Sequence, residues 1–236
     1  MTGYMATYKV KLKEVVQATP RIKLLKFERP EGFKFISGQF IMTSVEGFLG
    51  NHGETVKRSY SISSAPQDEH IEICVTLAEK PFFSEKLHSL KAGDEVIING
   101  PFGIFNLKEP VPANTTFIAG GSGIAPIRSM LRGYLNQENT QTVHLFFGAR
   151  SPGDFAYRDE IEVYGKSGKL KLYMTVNTPE SGWDRDIGFV PALLPKYCNY
   201  PKGTVYVCGP PLMVNSTVQS LKDIGFEPSN IILEQW

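Results

Sequence analysis

Three short motifs in this chain combine residue types that can bind an anion or a flat ring. They are RSYS at Arg58–Ser61, GGSGIAP at Gly120–Pro126 and CGPPLM at Cys208–Met213. The first holds a guanidinium, an aromatic ring and two hydroxyls, whereas the second offers backbone amides and the third a thiol. A guanidinium beside an aromatic plane suits a ligand that carries both a phosphate and a planar ring.

The glycine motif has the simplest physical explanation. It follows an apolar strand, Phe117–Ala119, and Pro126 stands where a helix is expected to begin. Its three glycines let backbone amides approach an anion at the positive N-terminus of that helix. Glycines also make ordinary tight turns, so the loop alone leaves an empty turn as an equal alternative. It departs from the dinucleotide fingerprint, which has glycine at position 126 and an acidic residue after the next strand, where this chain has Arg150.

These motifs allow two other interpretations. The first is a hydrolase, because Ser122 lies among glycines after a strand, as a catalytic serine does in a nucleophile elbow. The elbow motif needs glycine where this chain has Ile124, which excludes this interpretation. In RSYS, strand alternation puts Arg58 and Tyr60 on one face unless the strand bends at its end. The alternative is an exposed arginine that packs along a tyrosine of a half-buried strand.

Composition excludes several classes of protein. The 236 residues suffice for two domains. With 25 basic and 24 acidic residues the chain has no charge excess for gripping nucleic acid or a membrane surface. Three cysteines are too few for a disulfide framework, and four histidines lack metal-ligand spacing, so no metal is expected and any redox centre is a bound organic cofactor. The first residues resemble neither a signal peptide nor a membrane anchor, so we expect a cytoplasmic protein.

The pattern of apolar residues changes midway along the chain. Short alternating segments separated by glycine and proline run to Ile98 and predict an antiparallel barrel or sandwich, with one helix at Phe83–Leu90. From Thr115 onward, strand, turn and helix repeat, which predicts a parallel sheet with helical crossovers. The segment Lys108–Asn114 carries two prolines and is the expected boundary. The predicted strands of the first half are Tyr8–Leu12, Ile22–Phe27, Ile41–Val45, Ser59–Ser63, Ile71–Leu77 and Glu95–Ile98.

The motifs, their order and their spacing resemble the ferredoxin–NADP reductase superfamily of flavoproteins over nearly the whole chain, from Tyr8 to Trp236. Within it, the chain looks most like NAD(P)H-dependent reductase components of oxygenases that lack an iron–sulfur domain. The resemblance implies an FAD-binding antiparallel β-barrel at 1–110 and an NAD(P)-binding α/β domain at 111–236.

The same resemblance implies a reaction. Hydride passes from NADH or NADPH to FAD, and electrons go on to a separate acceptor such as ferredoxin, flavodoxin or an oxygenase component. The protein's part is orientation and exclusion of water. The alternatives are an electron-transfer flavoprotein subunit of a larger redox complex, and a degenerate nucleotide-binding module, against which an intact RSYS argues.

Residue roles follow from the resemblance. Arg58 would pair with flavin phosphate, Tyr60 would pack on the isoalloxazine, Ser61 would hydrogen-bond near N5, and Cys208 would position C4 of the nicotinamide, unless Cys208 is only a small buried hydrophobe. Trp236 would cover the flavin face or anchor the domain interface. The candidate catalytic residues are Ser61, Cys208 and Glu234. The candidate cofactor-binding residues are Arg58, Ser59, Tyr60, Ser61, Phe83, Ser84, Gly120, Gly121, Ser122, Gly123, Ile124, Ala125, Pro126, Arg150, Cys208, Gly209, Pro210, Met213 and Trp236.

Two segments bear on the contacts to adenine and on the choice between NADH and NADPH. Family members often have glycine shortly before the serine at the second flavin segment, where this chain has Lys80, Pro81 and Phe82, so the contacts to adenine are less defined. The positions that would bind a 2′-phosphate correspond to Asn177–Glu180, which hold no basic residue. Glu180 would repel a phosphate, which favours NADH. Arg150, Arg158 and Arg185 are the cations that could reverse this preference.

Overall fold

The computed structural model describes residues 6–80, 82–137, 141–200 and 202–235. The first part of the chain forms a six-stranded antiparallel sheet in the order β4-β3-β6-β1-β2-β5. A bridge between Ile62 and Ile73, together with a hydrogen bond from the Ser63 amide to the Glu72 carbonyl at 2.8 Å, joins the two outermost strands. The sheet therefore closes into the predicted barrel, and helix α1 covers it. The elements are β1 (Thr7–Thr19), β2 (Ile22–Glu28), β3 (Phe40–Ser44), β4 (Arg58–Ser61), β5 (His70–Thr76), α1 (Phe83–Ser89) and β6 (Glu95–Phe102).

The second part of the chain is the predicted α/β domain. Its six strands are parallel and lie in the order β10-β9-β8-β7-β11-β12. Helices α2 and α3 pack on one face and α4 and α5 on the other, so the central strands β7 and β11 are buried throughout. The elements are β7 (Thr116–Gly120), α2 (Ile124–Leu135), β8 (Val143–Ala149), α3 (Arg158–Lys166), β9 (Leu170–Val176), β10 (Asp186–Ile187), α4 (Val190–Tyr197), β11 (Val205–Gly209), α5 (Pro211–Asp223) and β12 (Ile231–Gln235).

The strand order of this sheet creates a crevice at one edge. From β7 the chain proceeds outward through β8, β9 and β10, then returns to place β11 on the opposite side of β7. Ligands of open parallel sheets bind outside the carboxyl ends of the strands at such a switch point. The two motifs Gly120–Pro126 and Cys208–Met213 follow β7 and β11, so the switch point brings them together.

The two domains share a hydrophobic core. Ile22 and Leu24 of β2 and Cys74 of β5 belong to the same buried cluster as Ile124 and Ala125 of α2. Separate clusters fill the barrel interior and the face of the parallel sheet that α4 and α5 cover. The segment Lys108–Asn114 lies between β6 and β7, and the exact domain boundary stays a prediction.

Two local expectations are corrected, and one short strand has no counterpart in the sequence-based prediction. Strand β1 continues well past Leu12, because register shifts between Leu12 and Glu14 and between Gln17 and Thr19 break the alternation that marks a strand in the sequence. Helix α2 begins at Ile124 rather than at Pro126, because a 3-10 turn at Gly121–Gly123 leads directly into it. The two-residue strand β10 was not predicted, since so short a segment has no periodicity. In the described ranges, no helix is long and apolar enough to cross a bilayer.

Burial predicts a large difference between two isoleucines. Ile118 of β7 is completely buried, whereas Ile104 is 94% exposed. We expect Ile118→Ala to lower the free energy of unfolding by about 2–5 kcal/mol because it removes buried methyl groups and leaves a cavity. Ile104→Ala is the matched control and should change it by less than about 0.5 kcal/mol. Urea unfolding followed by tryptophan fluorescence measures both, and equal effects would contradict the assigned burial.

Candidate active site

A cavity of about 660 Å³ lies between the two domains. Its volume is within the range of about 300–1,000 Å³ that small-molecule and cofactor sites occupy. The barrel supplies most of the wall, and the second domain closes it with the glycine loop and the end of β12. The lining residues are Phe40, Arg58, Ser59, Tyr60, Ser61, Cys74, Thr76, Ala78, Lys80, Phe82, Phe83, Ser84, Ser122, Ala125 and Glu234.

All four residues of RSYS line this cavity. They form β4, a four-residue strand that pairs with β3 from Thr43 opposite Arg58 to Phe40 opposite Ser61. The Arg58 side chain is exposed and donates a hydrogen bond to the Lys57 carbonyl at 2.8 Å. Burial raises the pKa of Tyr60 to about 12, against a smaller opposing effect of the Arg58 charge. The tyrosine is therefore a neutral, half-buried ring beside a cation.

Strand β5 contributes residues that the sequence did not reveal. Glu72, Cys74 and Thr76 alternate along one face of the strand, and the last two line the cavity. The hydroxyl of Thr76 is buried and has no hydrogen-bond partner in the described part of the protein. A buried polar atom of this kind calls for a partner, and a polar ligand atom in the cavity would supply one. The available signal was the alternation that places Glu72, Cys74 and Thr76 on one face of a predicted strand.

The start of α1 forms another part of the wall. Phe83 is buried against Phe48, with ring centroids 5.7 Å apart. The Ser84 hydroxyl accepts a hydrogen bond from the Ala78 amide at 3.2 Å, which ties the helix to the loop after β5. Phe82, where family members often have glycine, is 44% exposed and lines the cavity. The departure from the family pattern thus places an aromatic ring at the mouth of the site.

The glycine loop is packed directly against the CGPPLM turn. A Cβ on Gly123 would overlap the Cys208 carbonyl, and a Cβ on Gly120 would overlap the thioether of Met213. Gly121 has a φ of 55°, in the left-handed region that favours glycine. Glycine at position 123 is needed for this close approach of backbone to backbone, whereas Gly120 faces the Met213 side chain and a Cβ on Gly121 would meet nothing within 4 Å.

The remaining residues of the two motifs divide by depth. Ser122 and Ala125 reach the cavity wall, whereas Ile124 and Pro126 are buried behind it. Gly209 touches the Met213 side chain, and Pro210 precedes the first turn of α5. A ligand at the switch point would therefore meet this loop mainly through its backbone.

Glu234 and Cys208 are neighbours across β12 and β11. One carboxylate oxygen of Glu234 is buried without a hydrogen-bond partner among the described residues, and burial raises the pKa of this group to about 7. Cys208 is completely buried, and burial, followed by the nearby Glu234 charge, raises the pKa of its thiol well above the ordinary value. Glu234 and Ser61 line the same cavity, and Cys208 lies behind Glu234 as a neutral thiol.

The three arginines that could bind the nucleotide differ in their contacts. Arg150 is exposed at the carboxyl end of β8, where its carbonyl accepts a hydrogen bond from the Thr178 amide at 2.8 Å. Arg158 and Arg185 both pair with Glu162, at 2.9 and 3.0 Å. Trp236, a candidate cover for the flavin, lies outside the described residues.

A second cavity of about 640 Å³ lies beside β9. Two ion pairs occupy its wall, Glu162 with Arg185 at 3.0 Å and Asp186 with Lys196 at 2.8 Å. The charged groups of these pairs satisfy one another, and the three motifs lie elsewhere. We therefore place the active site in the cavity between the domains.

Comparison with known proteins identifies the family. A family model of the oxidoreductase FAD-binding domain matches residues 8–107, and one of the oxidoreductase NAD-binding domain matches residues 117–219. Ferredoxin–NADP reductase B of Sorangium cellulosum (strain So ce56) is 32% identical over 242 residues, which cover 97% of each chain. This chain belongs to the ferredoxin–NADP reductase family.

Other relatives of this family member are longer. One subunit of the Na(+)-translocating NADH-quinone reductase of Pasteurella multocida (strain Pm70) is 32% identical over 210 residues, which are 80% of this chain and 51% of that protein. The chain thus spans about half the length of that relative. Among solved structures, a ferredoxin NADP+ reductase from Neisseria gonorrhoeae with bound FAD and NADP shares the fold with a TM-score of 0.85 at 21% identity, covering 97% of this chain and 98% of that one.

The chain is therefore an FAD-dependent oxidoreductase that takes electrons from NAD(P)H. The cavity fits a flavin because it combines a cation, a half-buried ring and an unsatisfied hydroxyl in one wall. When bound, FAD supplies an isoalloxazine that accepts hydride and can release electrons singly or in pairs. The protein supplies the cavity, the close packing of the glycine loop and the shielding from water.

Gly123 offers a test of that packing. We expect Gly123→Ala to raise the KM for the nicotinamide nucleotide and slow flavin reduction by about tenfold or more, because the added methyl pushes the loop away from Cys208. Gly153→Ala is the matched control, since a Cβ there meets open space. Steady-state and stopped-flow kinetics measure both variants, and a fully active Gly123→Ala would refute the role of the close approach.

Glu234 gives the site a pH signature. Its folded pKa of about 7 lies above its ordinary value of 4.5, so the protonated carboxyl favours the folded state. This contribution is complete below pH 4.5 and is lost as the pH rises to about 7, where the difference is on the order of 2–3 kcal/mol. Glu234→Gln should abolish it, so the stability of the variant minus that of the parent should increase with pH across this window.

Urea unfolding at a series of pH values measures this difference. Taking the difference between variant and parent cancels the contributions of His88 and His144, which run the opposite way because burial lowers the pKa of both, that of His144 to about 4. A flat difference curve would show that the Glu234 carboxyl is hydrated and titrates normally.

Proposed function

We propose that this chain is an NADH-dependent reductase whose reduced flavin passes electrons to a separate acceptor protein. The observation that carries the proposal is the single cavity wall to which both domains contribute, with Ser61 from the barrel and Ser122 and Glu234 from the nucleotide domain. In this arrangement Arg58 holds the flavin phosphate, Tyr60 packs on the isoalloxazine, and Ser61 hydrogen-bonds near N5. Phe83 and Ser84 lie near the pyrophosphate.

The nucleotide domain would hold the second ring. The backbone of Gly120–Pro126 cradles the nucleotide pyrophosphate, and Cys208–Pro210 with Met213 form the floor under the nicotinamide. Glu234, protonated below about pH 7, would give the cavity a neutral proton donor near the reacting rings. Cys208, near the end of β11, would help to position C4 of the nicotinamide.

The proposal of NADH rests on the charges around the end of β9. Arg158 and Arg185 both pair with the single carboxylate of Glu162, which holds the two guanidiniums in contacts within the domain and offsets one of their two positive charges. Glu180 is exposed in the turn after β9, where its carbonyl accepts a hydrogen bond from the Trp183 amide at 3.1 Å. A carboxylate at this turn favours a ribose hydroxyl over a 2′-phosphate.

The proposed acceptor is a small redox protein, such as ferredoxin or flavodoxin, or an oxygenase component. Support comes from relatives named as a ferredoxin–NADP reductase and, at the level of the fold, from a ferredoxin reductase in carbazole 1,9a-dioxygenase, with a TM-score of 0.85 at 22% identity over 100% of this chain and 70% of that one. We place the protein in the cytoplasm, which agrees with three free, buried thiols.

A second candidate is a flavoprotein subunit of a larger redox complex. It is favoured by the similarity to half of a subunit of a quinone reductase. Turnover of ferricyanide or cytochrome c by the purified chain separates the two. Rapid turnover supports the independent reductase, and flavin reduction without turnover supports the subunit.

The donor preference can be measured directly. The purified protein should show flavin absorption that bleaches on anaerobic titration with NADH, and kcat/KM should be about tenfold or more higher for NADH than for NADPH. Glu180→Arg should raise kcat/KM for NADPH about tenfold, because it replaces repulsion with a phosphate contact. Glu227→Arg makes the same charge change in an exposed residue before β12 and should leave the ratio unchanged.

Two outcomes would contradict the proposal. Equal or reversed kcat/KM values would refute the preference for NADH. A protein that stays colourless after reconstitution with FAD would refute the assignment of RSYS to the flavin.

A further inference from the structure

A cluster of buried and half-buried polar residues crosses the domain interface outside the active-site cavity. It consists of Ser63 and Glu72 from the barrel and Arg128, Tyr157 and Glu160 from the second domain, and we call it the interdomain joint. Glu72 is 1% exposed and Arg128 is 7% exposed. Charged residues are almost never so deeply buried unless they are paired.

Arg128 makes the central contacts of the interdomain joint. One terminal nitrogen of its guanidinium donates to Glu72 Oε1 at 2.8 Å and to the Ser63 carbonyl at 2.9 Å. Its Nε donates to Glu160 Oε2 at 2.7 Å. The planar guanidinium is therefore held in three directions at once, which the point charge of a lysine cannot reproduce.

Tyr157 contacts both Arg128 and Glu72 in the interdomain joint. Its ring lies 4.0 Å from the centre of the Arg128 guanidinium, and its hydroxyl lies 2.8 Å from Glu72 Oε1 and 2.9 Å from Ser63 Oγ. The residue has a φ of 60°, which is rare for a side chain other than glycine. Backbone strain of this kind persists where the surrounding contacts fix the residue and is frequent near functional sites.

The interdomain joint connects the two walls of the active site. Glu72 lies on the same face of β5 as Cys74 and Thr76, which line the cavity. Arg128 lies on α2 about one turn after Ala125, which lines the cavity from the other side. A hydrogen bond between these two side chains thus holds the flavin wall against the nicotinamide loop at a fixed distance.

Stability alone does not explain such a pair. A buried ion pair loses hydration energy that its attraction only partly offsets, and apolar residues of similar volume often stabilise a protein as well or better. We propose that Arg128 and Glu72, supported by Tyr157, are positioning residues for hydride transfer, which set the distance between the nicotinamide and flavin rings. Hydride transfer is sensitive to this distance, because a displacement of about 1 Å can cost about 100-fold in rate.

Four variants separate positioning from stability. Arg128→Met removes one partner, the double variant Glu72→Met with Arg128→Met removes both charges, and Tyr157→Phe removes only the hydroxyl. Lys196→Met is the matched control, because Lys196 also pairs with a carboxylate, that of Asp186, and lies over an aromatic ring, Tyr197, at 4.6 Å, but within one domain.

Stopped-flow reduction at saturating NADH gives the rate constant, and thermal unfolding gives the stability. We expect Arg128→Met to lower both. The double variant should regain the parent's unfolding midpoint while its reduction rate stays at least about tenfold low, with little change in NADH affinity. Tyr157→Phe should give an intermediate rate, and Lys196→Met should reduce at the parent's rate. Recovery of the rate together with stability in the double variant would overturn the proposal, and so would equal slowing by Lys196→Met.

A measurement on the flavin-free protein tests the interdomain joint without turnover. Spin labels on cysteines introduced at the exposed residues Lys11 and Lys222, one in each domain, report the distribution of interdomain distances. We expect a narrow distribution in the parent and in Lys196→Met and a broader one in the double variant. Equally narrow distributions in all three would refute positioning. Because the kinetic test rests on NADH as the donor, a parent that NADH fails to reduce would contradict the proposed function instead, and the distances would still decide the role of the joint.

Discussion

The buried ion pair between Arg128 and Glu72 is a directional contact between the two domains, and the Arg132–Asp68 pair at 2.8 Å lies beside it on the same helix. Each domain has a hydrophobic core of its own, and the apolar cluster between them is non-directional, so by itself it resists separation better than it resists small rotations. Hydrogen bonds with fixed geometry add the missing direction. The Arg128–Glu72 pair connects β5 to α2, and each of these elements carries residues that line the active-site cavity. Strand β5 and helix α2 therefore contribute residues both to the domain interface and to the active-site cavity.

Close backbone packing provides the second constraint. The switch in strand order sets the carboxyl ends of β7 and β11 side by side, and the loops that follow them must then share a small volume. Gly123 meets this requirement, since any side chain there would overlap the Cys208 carbonyl. The absence of side chains in the glycine motif allows the close packing and also leaves backbone amides exposed. The same residues can therefore pack against β11 and bind an anion.

Two of the five buried side-chain polar atoms that lack a hydrogen-bond partner among the described residues belong to residues of the active-site cavity, and the other three belong to Asn106, His144 and Thr217. The Thr76 hydroxyl and one oxygen of Glu234 are buried without hydrogen-bond partners, and both residues line the cavity. By contrast, the interdomain joint is densely hydrogen-bonded although it is equally buried. Buried polar atoms without partners are rare in proteins, so their location at the cavity is consistent with a site completed by its ligand. Burial also raises the pKa of Glu234 to about 7, so this carboxyl is neutral over part of the physiological pH range.

The amino-acid sequence determined the two domain classes, most strands and helices, and the motifs proposed to bind the two cofactors. These features are local patterns: alternating apolar residues in strands, apolar runs between amphipathic helices, and glycine in tight turns. Such patterns can be recognised in the sequence without knowledge of the tertiary structure. Tertiary structure decided what depends on residues distant in the chain. Thr76 and Phe40 became part of the site only when the barrel closed, and Arg128 met Glu72 across 56 positions. A buried arginine within an amphipathic helix looks like any surface arginine in a sequence, because its partner is chosen by the packing of two domains rather than by its neighbours along the chain.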